Sequence, residues 1–247
     1  MKINRKYLFI GLILIAAFSL VVYQKRRGIE NRVSNIITPT PVFNPTTPPV
    51  VQADHVLLNV PFFAQAPTGN WSDPRQEDGC EEASITMAWL WSQDKTLTAQ
   101  QAEKAITDIS DYELTNYGNY NDLDAQDTAK LMEDYYHYDA KKITVTENIS
   151  IEDIKNALRQ GRVVLTPANG QKLGNPNYKS PGPLTHMLVI RGFDDAKQQF
   201  ITNDPGTRNG NQYRYSYTVL FNALVNYPSG HHESQVGRPN AMIAIEK

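Results

Sequence analysis

The chain has 247 residues, of which 26 are Asp or Glu and 24 are Lys or Arg, so its formal net charge is −2. A chain so close to neutral lacks the basic surface that binding to nucleic acid requires, and we expect no nucleic-acid partner. The single cysteine, Cys80, excludes an internal disulfide framework and a Cys-rich metal site.

The first 27 residues have the pattern of a membrane anchor. An uncharged apolar run covers residues 7–23 and has Lys and Arg on both sides. As a helix it would reach ~26 Å, at the short end of what a bilayer requires. The apolar core of a cleaved signal peptide is usually shorter, and no small-x-small site precedes the second basic cluster. We therefore interpret residues 1–27 as an uncleaved signal anchor, although basic residues on both sides weaken the prediction of its orientation.

Residues 28–54 are rich in Pro and Thr and contain few large apolar side chains. Such a segment cannot bury enough surface to fold alone, and it predicts an extended tether. Residues 55–247 then form the predicted globular domain. This organisation places the domain outside the cytoplasm at the cell surface, or makes it a secreted protein if the first segment is cleaved.

Helices dominate the first part of the predicted domain. A strand is expected over residues 56–63, and a buried helix begins at Cys80. Thr98 and Gln101 form a capping box that starts a helix through about residue 106, whereas residues 108–121 read as irregular. Another helix covers residues 125–136. Ser150 and Asp153 start the next one, which Gly161 closes.

From residue 162 onward the sequence mostly has the alternating pattern of β-strands. The predicted strands are residues 162–166, 185–193, 199–203, 213–217 and 241–245, with a turn at 194–197 and a short helix at 218–225. Helices followed by strands indicate an α+β domain with a mostly antiparallel sheet.

Cys80 stands where a Gly-containing loop gives way to a helix. The unpaired N–H groups and the dipole of a helix N-terminus favour a thiolate. A free cysteine often serves only packing, so the nucleophilic interpretation depends on a suitably placed base.

His186 is the best candidate for that base. It begins an apolar strand directly after the Gly/Pro loop 180–183, where an imidazole could face a helix terminus. His55, His137 and the His231-His232 pair lie at the tether junction, a helix end and a solvated loop, which makes them weaker candidates.

Asp204 is the candidate for the group that orients this base. It ends the strand that follows the turn at 194–197, and counting outward from that turn puts His186 and Asp204 near the same end of the sheet. The acid could hold one ring nitrogen and leave the other for Cys80. Asn203 would point to the opposite face of the sheet and is the weaker candidate.

Acyl transfer also needs donors for the developing oxyanion. The backbone N–H of Cys80 is one, and the side chains of Gln65 and Gln76 are the alternatives for a second. The sequence contains no HExxH motif, no paired Cys and no glycine-rich phosphate loop, and we expect neither a metal nor a cofactor.

Four segments together resemble the C39-like peptidases, which are papain-like cysteine peptidase domains. These segments are Val60-Pro61-Phe62-Phe63-Ala64-Gln65, Gly79-Cys80-Glu81-Glu82-Ala83-Ser84, His186 to Asp194, and Asn203-Asp204-Pro205. The resemblance covers about residues 56–247. It implies a papain-like fold, a peptide or protein substrate, Cys80 as nucleophile, His186 as base, Asp204 as orienting acid and Gln65 as oxyanion donor, with Gln76 as its substitute.

The sequence departs from the classical members of this family in two respects. Those members have Cys-Gly and are fused to a transporter, whereas this sequence has Cys80-Glu81-Glu82 and contains no transporter segment, so the double-glycine specificity is not carried over. Carboxylates that face the sulfur would oppose thiolate formation. A catalytically silent peptide- or wall-binding module, and a transglutaminase or wall amidase, therefore remain alternatives.

Overall fold

The computed structural model describes residues 23–25 and 53–247, and residues 53–247 belong to one compact unit. Nearly all of the predicted signal anchor (1–27) and tether (28–54) therefore lies outside the described residues. Among the helices that are described, none has the length and hydropathy needed to cross a bilayer.

The core of the domain is an antiparallel sheet, which confirms the predicted α+β class. Its strands are β1 (His55–Leu57), β2 (Ile143–Glu147), β3 (Val163–Ala168), β4 (His186–Asp194), β5 (Gln199–Asn203), β6 (Tyr213–Ser216) and β7 (Ala241–Ile245). They are ordered β2-β7-β3-β4-β5-β6, and every neighbouring pair is antiparallel. The short strand β1 pairs with the far end of β4.

Helices cover both faces of this sheet. They are α1 (Pro74–Glu77), α2 (Cys80–Ser92), α3 (Ala99–Asn116), α4 (Ala125–Tyr136), α5 (Ile151–Arg159), α6 (Gly170–Leu173) and α7 (Tyr217–Ala223). Side chains alternate along the central strands, so Met187 and Val189 pack with α2, α3 and α4, whereas Leu188 and Ile190 pack with α5 and α7. The central strands are buried on both faces for this reason.

Helix α3 is longer than the sequence predicts. Its capping box of Thr98 and Gln101 is present, but the helix continues to Asn116 through the stretch that reads as irregular. Ile109, Ser110 and Glu113 are buried within that stretch. The prediction of irregular structure over 108–121 is wrong for residues 108–116, because packing of one helical face outweighs a polar composition, and it holds for residues 117–121.

The outer elements also differ from the prediction. The strand expected over residues 56–63 is limited to His55–Leu57, and the strand Ile143–Glu147 was not predicted. Gly192 explains the close approach of β1 to β4, since a Cβ at that position would lie 2.2 Å from the carbonyl oxygen of Val56.

The β4–β5 hairpin positions two of the predicted site residues. The turn at 194–197 joins the strands, and Val189 lies opposite Asn203. Continuing this register places Asp204 opposite Leu188, two residues from His186 on the same face of the sheet. The hairpin therefore brings His186 and Asp204 to one end of the sheet, as predicted.

Candidate active site

Cys80 is the first residue of α2 and is 4 % exposed. Its sulfur accepts a hydrogen bond from the backbone N–H of Met187, at 3.2 Å. The preceding Gly79 lets this helix start close to its neighbours, because a Cβ there would lie 2.6 Å from the carbonyl oxygen of Arg75. The start of α2 thus lies against the start of β4, next to His186.

His186 and Asp204 form a buried hydrogen-bonded pair. Nε2 of His186 lies 2.9 Å from Oδ1 of Asp204, and both side chains are almost fully inaccessible to solvent. Asp204 thus engages one ring nitrogen, and Nδ1 is left for another partner. The His–Asp half of the predicted arrangement is present in the structure.

Five donors converge on the carboxylate of Asp204. Besides the histidine, it accepts bonds from the backbone N–H of Gly206 (3.0 Å), the hydroxyls of Tyr178 (2.6 Å) and Tyr215 (2.5 Å), and Nδ2 of Asn175 (3.2 Å). Burial by itself would raise the pKa of Asp204, but the electrostatic interaction with His186 and the hydrogen bonds from His186, Tyr178 and Tyr215 lower it below its usual value. Asp204 is therefore an ionised acceptor at neutral pH.

The imidazole is also confined sterically. The ring of Tyr178 meets the ring of His186 edge-on, with centroids 5.5 Å apart. A Cβ on Gly206 would lie 3.0 Å from Cε1 of His186. The tyrosine and the absence of a side chain at residue 206 together define the space that the imidazole occupies.

The acidic pair that follows Cys80 points inward. Glu81 and Glu82 are each 2 % exposed. Oε2 of Glu81 lies 2.9 Å from the sulfur of Cys80. Burial raises the pKa of the Cys80 thiol well above its ordinary value, and Glu81 adds to this increase. The sequence shows that two acids follow the cysteine, but not which way their side chains face.

Glu82 on α2 and Glu113 on α3 form a second buried acidic group. Glu82 accepts a hydrogen bond from the hydroxyl of Ser110 at 3.0 Å and lies beside Glu113. Burial raises the pKa of Glu82 well above its usual value and that of Glu113 to about 8. Two buried acids this close favour sharing a proton over carrying two charges.

The two candidate oxyanion glutamines lie in different surroundings. The backbone N–H of Gln65 donates to the carbonyl oxygen of Pro205, next to Asp204, and its side-chain Nε2 donates to the carbonyl oxygen of Glu77 at 2.5 Å. Gln76 is fully buried, and its Nε2 donates to Glu103 on α3. Gln65 is therefore the glutamine that the structure places beside the end of β5.

Asp122 extends the acidic surroundings of Cys80. It is buried, and it accepts hydrogen bonds from both the backbone N–H and Nδ1 of His232 at 3.0 Å. With Asp78 these residues form a group whose possible ligand atoms all lie within 4.8 Å of one another. The spacing in sequence gave no sign of this group. Since the His232–Asp122 hydrogen bonds satisfy two of its members without an ion, we assign no metal to it.

An antiparallel α+β domain with a cysteine at a helix start and a His–Asp pair at a strand end is the arrangement expected of a cysteine peptidase-like protein. The chain belongs to the Peptidase_C39 like family, whose model matches residues 57–231. This match confirms the resemblance noted from the sequence.

Among solved structures, the chain is similar to a crystal structure of a candidate C39-like peptidase from Bacillus anthracis. The identity is 16 %, the match covers 79 % of this chain and 99 % of that one, and the TM-score is 0.48. No curated protein matches the chain.

Proposed function

We propose that this chain is a cysteine peptidase that hydrolyses peptide bonds through Cys80, His186 and Asp204. Two contacts carry the proposal. His186 pairs with Asp204 at 2.9 Å, and the residue that follows this histidine, Met187, donates its backbone N–H to the sulfur of Cys80. Membership of the C39-like family supports the same assignment.

The chemistry follows from the roles of the three groups. Asp204 holds the Nε2–H of His186, which leaves Nδ1 to take the proton of the Cys80 thiol. The thiolate attacks the peptide carbonyl carbon, and the protonated His186 then gives its proton to the departing amine, which leaves a thioester. His186 next removes a proton from water, the hydroxide attacks the thioester, and the thiolate leaves as the second product is released.

Gln65 is the proposed side-chain donor to the oxyanion, together with the backbone N–H of Cys80. An amide nitrogen carries two hydrogens. One of those on Gln65 bonds to the carbonyl oxygen of Glu77, and the other is available to a substrate oxygen. Gln65 is preferred to Gln76 because its backbone is bonded to Pro205, next to Asp204, whereas the side chain of Gln76 is fully buried and faces Glu103 on α3.

The location of the enzyme is proposed from the sequence. The apolar run at residues 7–23 and the Pro/Thr-rich tether support a domain that is anchored at the membrane and lies outside the cytoplasm, or is secreted after cleavage. A peptide or protein at the cell surface is the corresponding substrate class.

One observation favours a second candidate, a silent module that binds a peptide or wall polymer. The Cys80 thiol is buried and its pKa is raised, which opposes the thiolate that catalysis requires. Binding of a peptide without turnover would distinguish this module from a peptidase.

The test is hydrolysis of a peptide library by the full-length protein and by Cys80→Ala. Ser84→Ala is the matched control, because Ser84 is a buried small side chain of the same helix that bonds to the carbonyl oxygen of Met187. The peptidase assignment requires cleavage by the wild type and the control and none by Cys80→Ala. Equal cleavage by all three proteins would show it to be wrong.

A further inference from the structure

The contact between Cys80 and Glu81 is unusual for adjacent residues of a helix. Side chains at consecutive positions do not normally face each other, yet Oε2 of Glu81 lies 2.9 Å from the sulfur. Glu81 is buried, so the contact is formed away from solvent. The carboxyl group is therefore held against the reacting atom of the proposed nucleophile.

The two oxygens of Glu81 have different partners. Oε1 accepts hydrogen bonds from the hydroxyl of Tyr227 at 2.6 Å and from the backbone N–H of Leu123 at 3.4 Å. Oε2 faces the sulfur. Because donors already approach Oε1, a proton carried by this carboxyl group belongs on Oε2, where it points at the sulfur.

The surroundings of Glu81 favour that proton. Burial raises the pKa of Glu81 well above its usual value, and the neighbouring carboxyl groups of Asp122 and Glu82 raise it further. Hydrogen bonds from Cys80 and Tyr227 oppose this increase in the pKa of Glu81, but neither of these groups is a cation. Glu82 is itself paired with Glu113, and Asp122 with His232. An acid in such surroundings favours its neutral form.

We propose that Glu81 is a further catalytic residue, which in its neutral form donates a hydrogen bond from Oε2 to the Cys80 thiolate. The inference rests on the proposed peptidase function. The thiol proton moves to Nδ1 of His186, the electron pair of the S–H bond stays on sulfur, and Glu81 keeps its own proton. The thiolate then has two fixed donors, the O–H of Glu81 and the backbone N–H of Met187.

This role predicts an unusual response to pH. Once Glu81 ionises, a carboxylate faces the sulfur and the thiolate becomes less favourable. Glutamine at this position would keep an acceptor toward Tyr227 and Leu123 and a donor toward Cys80, but it could not ionise. Glu81→Gln therefore imitates the proposed active form at every pH.

The experiment measures alkylation of the full-length protein by iodoacetamide from about pH 5 to about pH 10. Because the chain has one cysteine, the mass of the intact protein reports on Cys80 alone. The variants are Glu81→Gln and Glu81→Met. Glu152→Gln is the control, since it makes the same change on α5, at a side chain that forms ion pairs with Lys155 and Arg159. Circular dichroism and urea unfolding verify that each variant is folded.

At neutral pH we expect Glu81→Gln to react within about threefold of the wild type and Glu81→Met to react about tenfold more slowly, as expected when a hydrogen bond to a charged sulfur is lost. Glu152→Gln should react like the wild type. At about pH 9.5 Glu81→Gln should react faster than the wild type. If Glu81→Met fails to fold, the comparison of Glu81→Gln with the wild type at alkaline pH still decides the question.

Two results would overturn the inference. Faster alkylation of both Glu81 variants at neutral pH would mean that the carboxylate suppresses the thiolate, and identical profiles for all proteins would mean that Glu81 has no effect. These failures are distinct from failure of the proposed function. If Cys80-dependent peptide cleavage is observed with identical alkylation profiles, only the inference fails; if alkylation depends on Glu81 as expected and no peptide is cleaved, only the proposed function fails.

Discussion

The backbone N–H of Met187 donates a hydrogen bond to the sulfur of Cys80 across 3.2 Å, although the two residues are 107 positions apart in the chain. This bond lowers the pKa of the Cys80 thiol, against the larger effects of burial and of Glu81. It also joins the first residue of α2 to the strand that begins with His186. The proposed function depends on this junction between a helix start and a strand start.

We expect Asp204→Ala to reduce kcat on the order of 10²-fold to 10⁴-fold, because the imidazole of His186 then loses the acceptor that holds its Nε2–H and fixes its orientation. Steady-state kinetics on a cleaved library peptide would measure the loss. Asn203→Ala is the comparison, since Asn203 lies next in sequence but bonds to Arg191 and to the carbonyl oxygen of Pro61. An Asp204→Ala variant as active as the wild type would contradict the orienting role.

The same carboxylate predicts a loss of stability in acid. The pKa of Asp204 is lowered on folding, so its contribution to stability is present above its ordinary value of 3.8 and is lost as the pH falls through the folded-state pKa. Urea unfolding at about pH 6 and about pH 3 should show a smaller change for Asp204→Asn than for the wild type. An equal change in both proteins would argue against an ionised Asp204.

The buried pair of Glu82 and Glu113 predicts the opposite behaviour. The pKa of Glu113 is raised from 4.5 to about 8, so the stabilisation is fully present below about pH 4.5 and is lost as the pH rises through about 8. Glu113→Gln should reduce this alkaline loss by a few kcal/mol, since each unit of pKa shift corresponds to about 1.4 kcal/mol. The measurement is the free energy of unfolding of both proteins at about pH 5 and about pH 9. An equal change between the two pH values in both proteins would refute the prediction.

Replacement of the two glutamines should separate catalysis from packing. We expect Gln65→Ala to lower kcat by about 10²-fold to 10³-fold, the usual effect of removing one oxyanion donor, while alkylation of Cys80 continues. Gln76→Ala should instead lower stability with a smaller change in kcat, because its amide bonds to Glu103 inside the fold. The reverse pattern would transfer the oxyanion role to Gln76.

A methyl group on Gly206 should disturb the imidazole. Its Cβ would lie 3.0 Å from ring carbons of both His186 and Tyr178. We expect Gly206→Ala to lower kcat by about tenfold or more, because small displacements of a catalytic group are costly to the rate. Comparing the loss in kcat with the free energy of unfolding shows whether the effect is local. Unchanged kcat would mean that the imidazole has more freedom than its contacts indicate.

Local signals in the sequence predict much of the fold. The capping boxes at Thr98 and Ser150 mark real helix starts, and the strands Gln199–Asn203 and Ala241–Ile245 have the predicted bounds. The edge strand Ile143–Glu147 lies outside the predicted strands, although its sequence alternates apolar and polar β-branched residues, which is a strand pattern. The extension of α3 depends on packing that a local pattern does not contain.

The sequence also predicts part of the candidate site. The turn at 194–197 and the register that follows from it bring His186 to Asp204. The tyrosines that bond to Asp204 could not be predicted, because Tyr178 and Tyr215 reach it from a loop and from another strand. Nor could the orientation of Glu81, since a single sequence does not show which face of a helix start is buried.

The most direct test of the proposed function compares one substitution at two histidines. His186→Asn removes the proposed base, whereas His137→Asn makes the same change at a helix end whose φ of 51° asparagine tolerates. In a peptide-library assay we expect His137→Asn to cleave at the wild-type rate and His186→Asn to be slower on the order of 10³-fold or more, as for loss of a general base that activates a nucleophile. A His186→Asn variant that cleaves as fast as the wild type would contradict the proposed function.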